Sequence, residues 1–455
     1  MGAPVAGEAG RLSSGGAPPS RKSGGAVMSP GIETGIEYGR SHHPVEVGLA
    51  QRLEWLRRQR ADGVHLSFGD RLTALEKLGQ ALVERRATLP PVLAGTGVAF
   101  LAAFLQRCSL EGYVRREIPR PDALEQFVEC GERKSLRVLP RGLVCHWIAG
   151  NVPLLGMFSW ALSALLGNTN AIRLSSRQAD TMTPLLEVLA ETTAAGRQMA
   201  DETLVCSFPR DLEAAHKALS DAADVRIAWG GQESIESVRR LPCRWDCDDI
   251  VMGPRVSVAV VDPALATPAN VSRLATDVVF FDQAACSSPQ VIFVRGTPGE
   301  PPFEQFLAEL SRAMGEQTAR FPRHSLDFGE TYRIELDRAR ALMAGGAIRR
   351  DDSTRWTIAI LDRVHPQLAC TNCFVQVVPC VDWQPVWDFL PENIQTIVTL
   401  LPASEFGQFT EQAARRGACR FPIPGTGNHF DVPWDGIPLV SRLTRWVLRT
   451  EPSPG

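Results

Sequence analysis

The side chain best suited to covalent chemistry is the thiol of Cys286, in the sequence FFDQAACSSPQ at 280–290. It stands in a short polar interruption that is followed by the apolar run VIFV at 291–294. A cysteine nucleophile reacts as its thiolate, and it needs room for an acyl group and donors for the oxyanion formed on attack. The small neighbours of Cys286 leave that room. Thioester catalysis is therefore one interpretation of Cys286, and a buried structural thiol is the other.

Two further groups of polar or flexible residues are suited to contacting a phosphate or a ribose. Gly230 and Gly231 follow an apolar run, and a glycine pair there lets a phosphate approach the backbone at the start of a helix. Arg173, Ser175 and Ser176 end another apolar run and have the donors to hold a ribose or its phosphate. Neither group forms a GxGxxG fingerprint, so an ordinary turn and a solvated strand end stay as alternatives.

The segments that would position these residues alternate between strand and helix. Strands are predicted at 143–148, 171–176, 204–208 and 225–229, with helices at 183–193 and 212–219. Alternation at this spacing is typical of a doubly wound parallel sheet, which binds ligands beyond the carboxyl ends of its strands.

Helices that precede this pattern are predicted to cover the sheet. Leucines recur at helical spacing from Leu49 to Leu82, and another helix is predicted over 92–107. The apolar stretch 143–167 is interrupted by Asn151 and Pro153, which divide it into a strand, a turn and a helix. Because a spanning helix needs about 20 uninterrupted apolar residues, no membrane span is predicted.

The composition is that of a soluble globular protein with more than one domain. The chain has 455 residues, 44% of them hydrophobic and 22% charged, and a formal net charge of -3. That charge argues against nucleic-acid binding through bulk positive charge. The eleven cysteines lack the density of a disulfide scaffold and the first residues lack an apolar signal core, which predicts reduced thiols and a cytoplasmic protein. Residues 1–44, rich in Gly, Ser, Pro and Ala, are predicted to form a disordered tail.

Taken in order, the landmarks of the chain resemble the LuxC-type acyl-CoA reductases, a branch of the aldehyde dehydrogenase superfamily. The resemblance implies an α/β fold of the aldehyde dehydrogenase type, with a Rossmann-like cofactor domain, an α/β catalytic domain and a small oligomerisation element. The segments that carry it are AGNVP at 149–153, IRLSS at 172–176, IAWGG at 227–231, MGPR at 252–255, DQAACSSPQ at 282–290, PENIQT at 391–396 and LTRWV at 443–447.

The same resemblance divides the chain into segments. It implies N-terminal helices and an NAD(P)-binding domain over 45–250, and a catalytic domain over 251–425. The segment 426–455 is then expected to return to the cofactor domain or to form an oligomer interface. A dimer or tetramer of the chain is expected.

By the same resemblance, Cys286 accepts the acyl group as a thioester, and the Asn151 amide and the Cys286 backbone N–H form the oxyanion hole. Arg173, Ser175 and Ser176 match the strand that meets the adenosine ribose. Since many relatives have a lysine at that site, the arginine favours a 2′-phosphate and hence NADPH, with NADH as the alternative. The expected substrate is an acyl-CoA or an acyl group on a carrier or other protein.

One departure from the superfamily pattern concerns hydrolysis. Where hydrolytic aldehyde dehydrogenases have a glutamate that activates water, the matching position here is Val251. Valine cannot act as a base, so a thioester on Cys286 is expected to persist until it meets a thiol or a hydride. The predicted direction is therefore acyl thioester to aldehyde.

Two histidines, His429 and His146, are candidates for a role in substrate binding or proton transfer. The sequence WDG at 434–436 stands where relatives often have His-Asp-Gly, so the protein either does without this histidine or uses His429 in its place. The surrounding GTGNHFD at 425–431 is interpreted as a solvated loop. His146 is either a proton acceptor for the thiol or a buried histidine satisfied by hydrogen bonds.

Two other functions stay open at the level of sequence. A non-redox acyltransferase would use the same acyl-cysteine without a nucleotide site. Alternatively, Cys243 and Cys247 pair with Cys370 and Cys373 in a four-thiolate zinc site of a structural or interaction protein. The principal prediction is NADPH-dependent reduction of a fatty or other acyl thioester to the aldehyde, with no metal at the site.

Overall fold

The computed structural model of the chain describes residues 29–30, 36–39, 47–62, 65–94, 97–148, 155–175, 179–323, 326–368 and 370–452. The strands in these ranges are β1 (Ser29–Pro30), β2 (Glu37–Tyr38), β3 (Val128–Gly131), β4 (Lys134–Pro140), β5 (Leu143–Trp147), β6 (Thr169–Ser175), β7 (Thr203–Phe208), β8 (Val225–Trp229), β9 (Asp248–Met252), β10 (Val256–Val261), β11 (Val291–Arg295), β12 (Ala347–Arg350), β13 (Thr357–Ile360), β14 (Phe374–Cys380), β15 (Ile394–Leu400) and β16 (Thr444–Thr450).

The helices in the same ranges are α1 (Leu49–Asp62), α2 (Phe68–Glu84), α3 (Pro91–Ala94), α4 (Val98–Phe104), α5 (Arg107–Glu117), α6 (Leu155–Leu165), α7 (Met182–Thr192), α8 (Ala194–Asp201), α9 (Glu213–Ala222), α10 (Gln232–Arg239), α11 (Pro268–Val279), α12 (Pro301–Arg320), α13 (Phe328–Met343), α14 (Gln384–Phe389), α15 (Ala403–Ala414) and α16 (Leu439–Arg442). Short 3-10 turns lie at Pro121–Leu124, Pro263–Leu265 and Phe280–Gln283. Within the described part of the chain, no helix has both the length and the apolarity to cross a membrane.

The first sheet contains the predicted strand-helix alternation. Its order is β1-β2-β7-β6-β5-β8-β9, and the five strands from β7 to β9 run parallel. The chain builds β5, β6 and β7 outward and then crosses back to place β8 on the other side of β5. Because β5 and β8 are buried along their whole length, their side chains pack against helices on both faces. The carboxyl ends of β5, β6 and β8 therefore flank the switch point where such sheets bind ligands.

The prediction of a disordered tail over 1–44 is wrong for residues 36–39. Tyr38 in β2 pairs antiparallel with Cys206 in β7, and Ile36 and Tyr38 are buried. The Arg52 guanidinium lies 4.2 Å from the centroid of the Tyr38 ring. Because β2 has only two residues, the composition of the tail does not reveal it. Its order comes from pairing with β7 at the edge of the sheet.

The single helix predicted over 92–107 is also wrong, since α3 and α4 are separate and α5 begins at Arg107. Gly97 precedes α4 in a left-handed conformation, with φ of +81°. A Cβ there would lie 3.1 Å from the Phe281 ring. The helix thus breaks where the chain passes close to the loop that carries Cys286.

The second sheet has the order β12-β13-β14-β11-β10-β15, parallel except for its edge strand β12. Its strands β14, β11, β10 and β15 are rich in Val and Ile, and helices cover both faces of the sheet. The first sheet ends at Met252 and this sheet begins at Val256. The residues just before β10, β11 and β15 therefore share its amino edge.

A third, antiparallel sheet has the order β16-β4-β3. The C-terminal strand β16 pairs with β4 along its whole length, from Thr444 opposite Pro140 to Thr450 opposite Lys134. On β16, the side chains of Trp446 and Leu448 are about half exposed. The end of the chain thus returns to a strand that lies just before the first parallel strand.

Candidate active site

A strained turn carries the predicted nucleophile. After α11, the residues Phe281, Asp282 and Gln283 have φ of +57°, +54° and +62°. Each non-glycine residue in this left-handed region costs about 1–2 kcal/mol, so the surrounding structure must hold the turn. The Asp282 carboxylate accepts a hydrogen bond from the Cys373 thiol at 3.4 Å and lies 3.7 Å from the Arg323 guanidinium. This turn places Cys286 at the amino edge of the second sheet.

The backbone of Cys286 is held by its neighbour on β10. The buried Ser257 hydroxyl donates to the Cys286 carbonyl at 2.7 Å. Cys286 is partly exposed, and its own backbone N–H interacts with its thiol. That N–H stabilises negative charge on the sulfur.

The thiol of Cys286 faces charged groups of both signs. Its pKa is raised to about 12, first by burial and then by the carboxylate of Asp435, while the Gln395 amide and the Arg420 guanidinium lower it. In the resting protein the thiol therefore holds its proton, and reaction requires a local gain of thiolate. These three neighbours come from the C-terminal third of the chain.

Asp435 is a buried carboxylate in a left-handed backbone conformation, with φ of +53°. The Gln395 side-chain amide donates to one carboxylate oxygen, and Arg255 Nε lies 3.8 Å from the other. Burial is the main cause of its raised pKa. Arg420 lies 4.2 Å over the Trp434 ring and donates to the His429 carbonyl at 2.7 Å. Sequence reasoning missed Gln395, Asp435 and Arg420 as neighbours of the thiol, because no local pattern links them to it.

An aromatic stack adjoins this cluster. The rings of Phe158 and Phe430 stack at 4.9 Å, and those of Phe430 and Trp434 at 4.6 Å. Trp229, at the carboxyl end of β8, contacts the same Phe430 at 6.4 Å. The stack therefore connects the carboxyl edge of the first sheet to the residue next to Asp435.

The predicted nucleotide residues lie at the carboxyl edge of the first sheet. Gly231 precedes α10 as its N-cap, and a Cβ at this position would meet no atom within 4 Å. Gly230 has φ of +157° and donates its N–H to Met252 O at 3.2 Å. Open space beside the first N–H groups of a helix fits the approach of a phosphate.

Arg173 and Ser175 lie on β6 at the same edge. Arg173 Nη2 donates to the Phe208 carbonyl at 3.1 Å, and burial lowers the pKa of its guanidinium. Its Nε is buried and makes no hydrogen bond within the described part of the protein. A buried donor of this kind fits a polar group of a nucleotide at the strand end. Asn151 and Ser176 lie outside the described residues.

His146 is a buried histidine with both ring nitrogens satisfied. Nδ1 lies 3.3 Å from Ser159 Oγ, and Nε2 lies 3.0 Å from Asn170 Oδ1. Burial lowers its pKa to about 4, so the ring is neutral. Of the two interpretations of His146, the structure favours the satisfied core residue. His429 packs edge-on against Phe100, with ring centroids 5.0 Å apart.

The strand that lacks the hydrolytic glutamate is β9. Val251 pairs with Ala228 and packs with the helices on the far face of the first sheet. Its neighbour Met252 packs on the face that contains Trp229 and Phe430. Neither side chain can act as a base, and the two carboxylates of β9, Asp248 and Asp249, form ion pairs with Arg442 and Arg226.

The two cysteine pairs considered for zinc belong to different sheets. Cys247 packs with the core of the first sheet beside β9, and Cys373 packs with the core of the second sheet before β14. No three His, Cys, Asp or Glu residues that the structure describes are placed to hold a metal ion. The four-thiolate interpretation is therefore wrong.

A two-sheet α/β architecture with a cysteine at the amino edge of the second sheet defines a protein of the aldehyde dehydrogenase fold. An NAD-dependent benzaldehyde dehydrogenase from Corynebacterium glutamicum superposes with a TM-score of 0.61 at 12% identity, covering 93% of this chain and 96% of that one. A lactaldehyde dehydrogenase gives a TM-score of 0.60 at 13% identity, covering 88% and 91%. These similarities confirm the predicted fold class.

Sequence comparison places the chain in one family among the proteins that share this fold. The model of the acyl-CoA reductase (LuxC) family matches residues 78–446, and the chain belongs to this family. It is 27% identical over 323 residues to a long-chain acyl-protein thioester reductase of Aliivibrio fischeri, covering 70% of this chain and 66% of the relative. For a second such reductase, from Photobacterium leiognathi, identity is 26% over 353 residues, covering 76% and 72%. The chain thus spans about two thirds of the length of the Aliivibrio relative. The resemblance to LuxC-type reductases is confirmed.

Proposed function

We propose that the protein reduces an acyl thioester to the aldehyde, with Cys286 as the residue that accepts the acyl group. The observation that carries the proposal is the setting of Cys286. Its thiol faces one guanidinium and one side-chain amide, its backbone is held by Ser257, and Val251 stands where the resemblance places the glutamate of hydrolytic relatives. Membership of the LuxC family supports the same reaction.

The first half of the reaction is thiol exchange. The Cys286 thiolate attacks the acyl carbonyl, and the oxyanion is stabilised by the Cys286 N–H and, as the family resemblance implies, by Asn151. Collapse breaks the bond to the leaving thiolate, which takes up a proton, and leaves the acyl group as a thioester on Cys286. Arg420 and Gln395 favour the thiolate at each stage because both lower the pKa of Cys286.

The second half is reduction. A reduced nicotinamide, when bound, supplies the hydride that the thioester carbonyl receives. The resulting thiohemiacetal oxyanion collapses, the carbon–sulfur bond breaks, and aldehyde leaves with Cys286 again a thiolate. Because Val251 cannot activate water as a glutamate at that position would, the thioester persists until then. Each lost oxyanion donor is expected to cost about a hundredfold to a thousandfold in rate.

The proposed nucleotide site is the carboxyl edge of the first sheet. Gly230 and Gly231 would hold the phosphates at the start of α10, while Arg173, Ser175 and Ser176 would hold the adenosine ribose. Among the described residues, Gly231 has open space beside it and the buried Nε of Arg173 has no hydrogen-bond partner, and both observations support this assignment. An arginine at the ribose favours NADPH, and NADH is the competing cofactor to be tested.

The proposed acyl donor is a long-chain acyl group on a protein, as the names of the curated relatives suggest, with acyl-CoA as the small-molecule equivalent. The half-exposed Trp446 and Leu448 on β16 support the proposal that the third sheet mediates a homo-oligomer.

The test is the intact mass of the protein after incubation with acyl-CoAs of increasing chain length. An adduct that requires Cys286, and that is discharged as aldehyde when NADPH or NADH is added, supports the reductase. An adduct that persists with both cofactors would instead indicate a non-redox acyltransferase. Absence of any adduct in the parent protein would overturn the proposed reaction.

A further inference from the structure

A buried carboxylate ties α11 to the glycine-rich loop near the C-terminus. The Asp277 carboxylate accepts hydrogen bonds from the backbone N–H of Gly425 at 2.6 Å and of Gly427 at 3.0 Å. Gly425 has φ of +90°, and a Cβ at Gly427 would lie 3.1 Å from the Asp277 carboxyl carbon. The two glycines therefore favour this close approach of the loop to α11, Gly425 by its left-handed backbone and Gly427 by its lack of a side chain. The interpretation of 425–431 as a solvated loop is wrong for Asn428 and Phe430, which are buried.

The same loop reaches the residues that follow the nucleophile. Asn428 Nδ2 donates to the Asp277 backbone carbonyl at 2.8 Å. Asn428 Oδ1 accepts from Ser287 Oγ at 2.7 Å and from Ser288 Oγ at 3.3 Å. All four side chains are at least nine-tenths buried. One amide thus links the helix before the strained turn to the two serines after Cys286.

We infer that Asn428 is a positioning residue for Cys286. It fixes the backbone at Ser287 and Ser288, and so sets the direction of the Cys286 N–H relative to the bound acyl carbonyl. Because Asn428 is uncharged, and because the Cys286 N–H is the smallest of the influences on the thiol pKa, loss of Asn428 should change the thiolate population little. The inference rests on the proposed function, since it concerns the acyl carbonyl that Cys286 attacks.

The experiment compares two reactions of the same thiol in the full-length protein. Asn428→Ala should slow acylation of Cys286 by an acyl-CoA 10- to 100-fold, because misplacement by about 1 Å has effects of that size. Alkylation of Cys286 by iodoacetamide, followed on its peptide by mass spectrometry, should stay within threefold, since that reaction uses no oxyanion donor. Asn270→Ala is the matched control, as Asn270 on α11 also donates its amide to a backbone carbonyl, at 3.0 Å.

Two results would overturn the inference. One is an acylation rate for Asn428→Ala within twofold of the Asn270→Ala control. The other is a parallel change of alkylation and acylation, which would indicate general loosening of the loop. If Asn428→Ala fails to fold, Ser287→Ala tests the same link by removing only its hydroxyl donor, with an expected 3- to 10-fold loss of acylation.

Failure of the proposed function is distinguishable from failure of this inference. If the parent protein forms no acyl adduct, amide hydrogen exchange of the peptide that contains Cys286 still reports on the link. Asn428→Ala should then speed exchange across 284–290 relative to Asn270→Ala. Unchanged exchange would overturn the positioning role whatever the reaction proves to be.

Discussion

The two edges that contribute to the site are built in different ways. At the carboxyl edge of the first sheet, Arg173, Gly230 and Gly231 occupy strand ends and a single turn, so each position follows from its own element. At the amino edge of the second sheet, Cys286 is held by Ser257, 29 residues away, and Ser287 by Asn428, 141 residues away. A nucleotide needs open backbone at a helix start, whereas a nucleophile needs a rigid setting, and rigidity here comes from distant parts of the chain.

Among residues at the two edges, Cys286 is the one whose loss should lower aldehyde formation most. Cys286→Ala should lower aldehyde formation at least about a thousandfold, because the acyl group then has no acceptor. This substitution leaves the carboxyl edge of the first sheet unchanged. The affinity for NADPH, measured by nucleotide fluorescence, should therefore stay within twofold of the parent. Cys419→Ala is the control, since this partly exposed thiol also lies near Asp435. Full loss of activity in the control instead would reassign the nucleophile.

The buried carboxylate of Asp277, on α11 before the Cys286 turn, should make the free energy of unfolding depend on pH. Burial raises the pKa of Asp277 to about 7, against an ordinary aspartate value of about 3.9. Between these values the folded protein holds a proton that the unfolded chain has lost, so stability falls as pH rises through this window. From pH 5 to 8, the unfolding free energy of the parent should fall by about 3 kcal/mol relative to Asp277→Asn.

Urea unfolding of both proteins at pH 5, 6, 7 and 8 measures that difference. Asp221→Asn, at an exposed aspartate on α9, serves as the control and should follow the parent. Identical slopes for the parent and Asp277→Asn would show that this carboxyl is ionised throughout the range.

At the first-sheet edge, the sharpest change is Gly231→Ala. The added methyl group meets no protein atom within 4 Å and the backbone φ of −70° suits alanine, so the melting temperature should not fall. If a phosphate approaches this backbone, the KM for NADPH should rise about tenfold while acylation of Cys286 is unchanged. Gly407→Ala on α15, where the methyl group also meets no atom, is the control. An unchanged KM would remove Gly231 from the nucleotide site.

The smallest expected effect concerns the charges around the thiol. Asp435 raises the pKa of Cys286 and Arg420 lowers it. Asp435→Asn should therefore speed iodoacetamide alkylation of Cys286 several-fold at pH 8, and Arg420→Gln should slow it. In all three proteins the rate should increase about tenfold per pH unit below the thiol pKa. A slower reaction in Asp435→Asn would mean that Asp435 assists loss of the thiol proton.

The sequence predicted more of the first-sheet edge than of the edge that carries Cys286. Apolar runs at regular spacing predicted the parallel strands β5 to β8, because burial on both faces imposes that pattern on each strand. Small residues around Cys286 predicted the nucleophile, and the glycine pair predicted the turn before α10. The break at Gly97 was missed, since only contact with Phe281 shows why the helix stops there.

By itself, the sequence predicted the fold class and the family, which the comparisons confirm, and a nucleophile at Cys286, which stays a prediction; all three depend on local pattern and residue type. Only the tertiary structure decided that Asn428 binds Ser287, that Gln395 reaches Asp435, and that both sets surround Cys286. Hydrogen bonds between side chains far apart in the chain leave no periodicity for a single sequence to show. Their partners become identifiable only in the folded chain, where water is removed and most buried polar groups bond to another group of the protein.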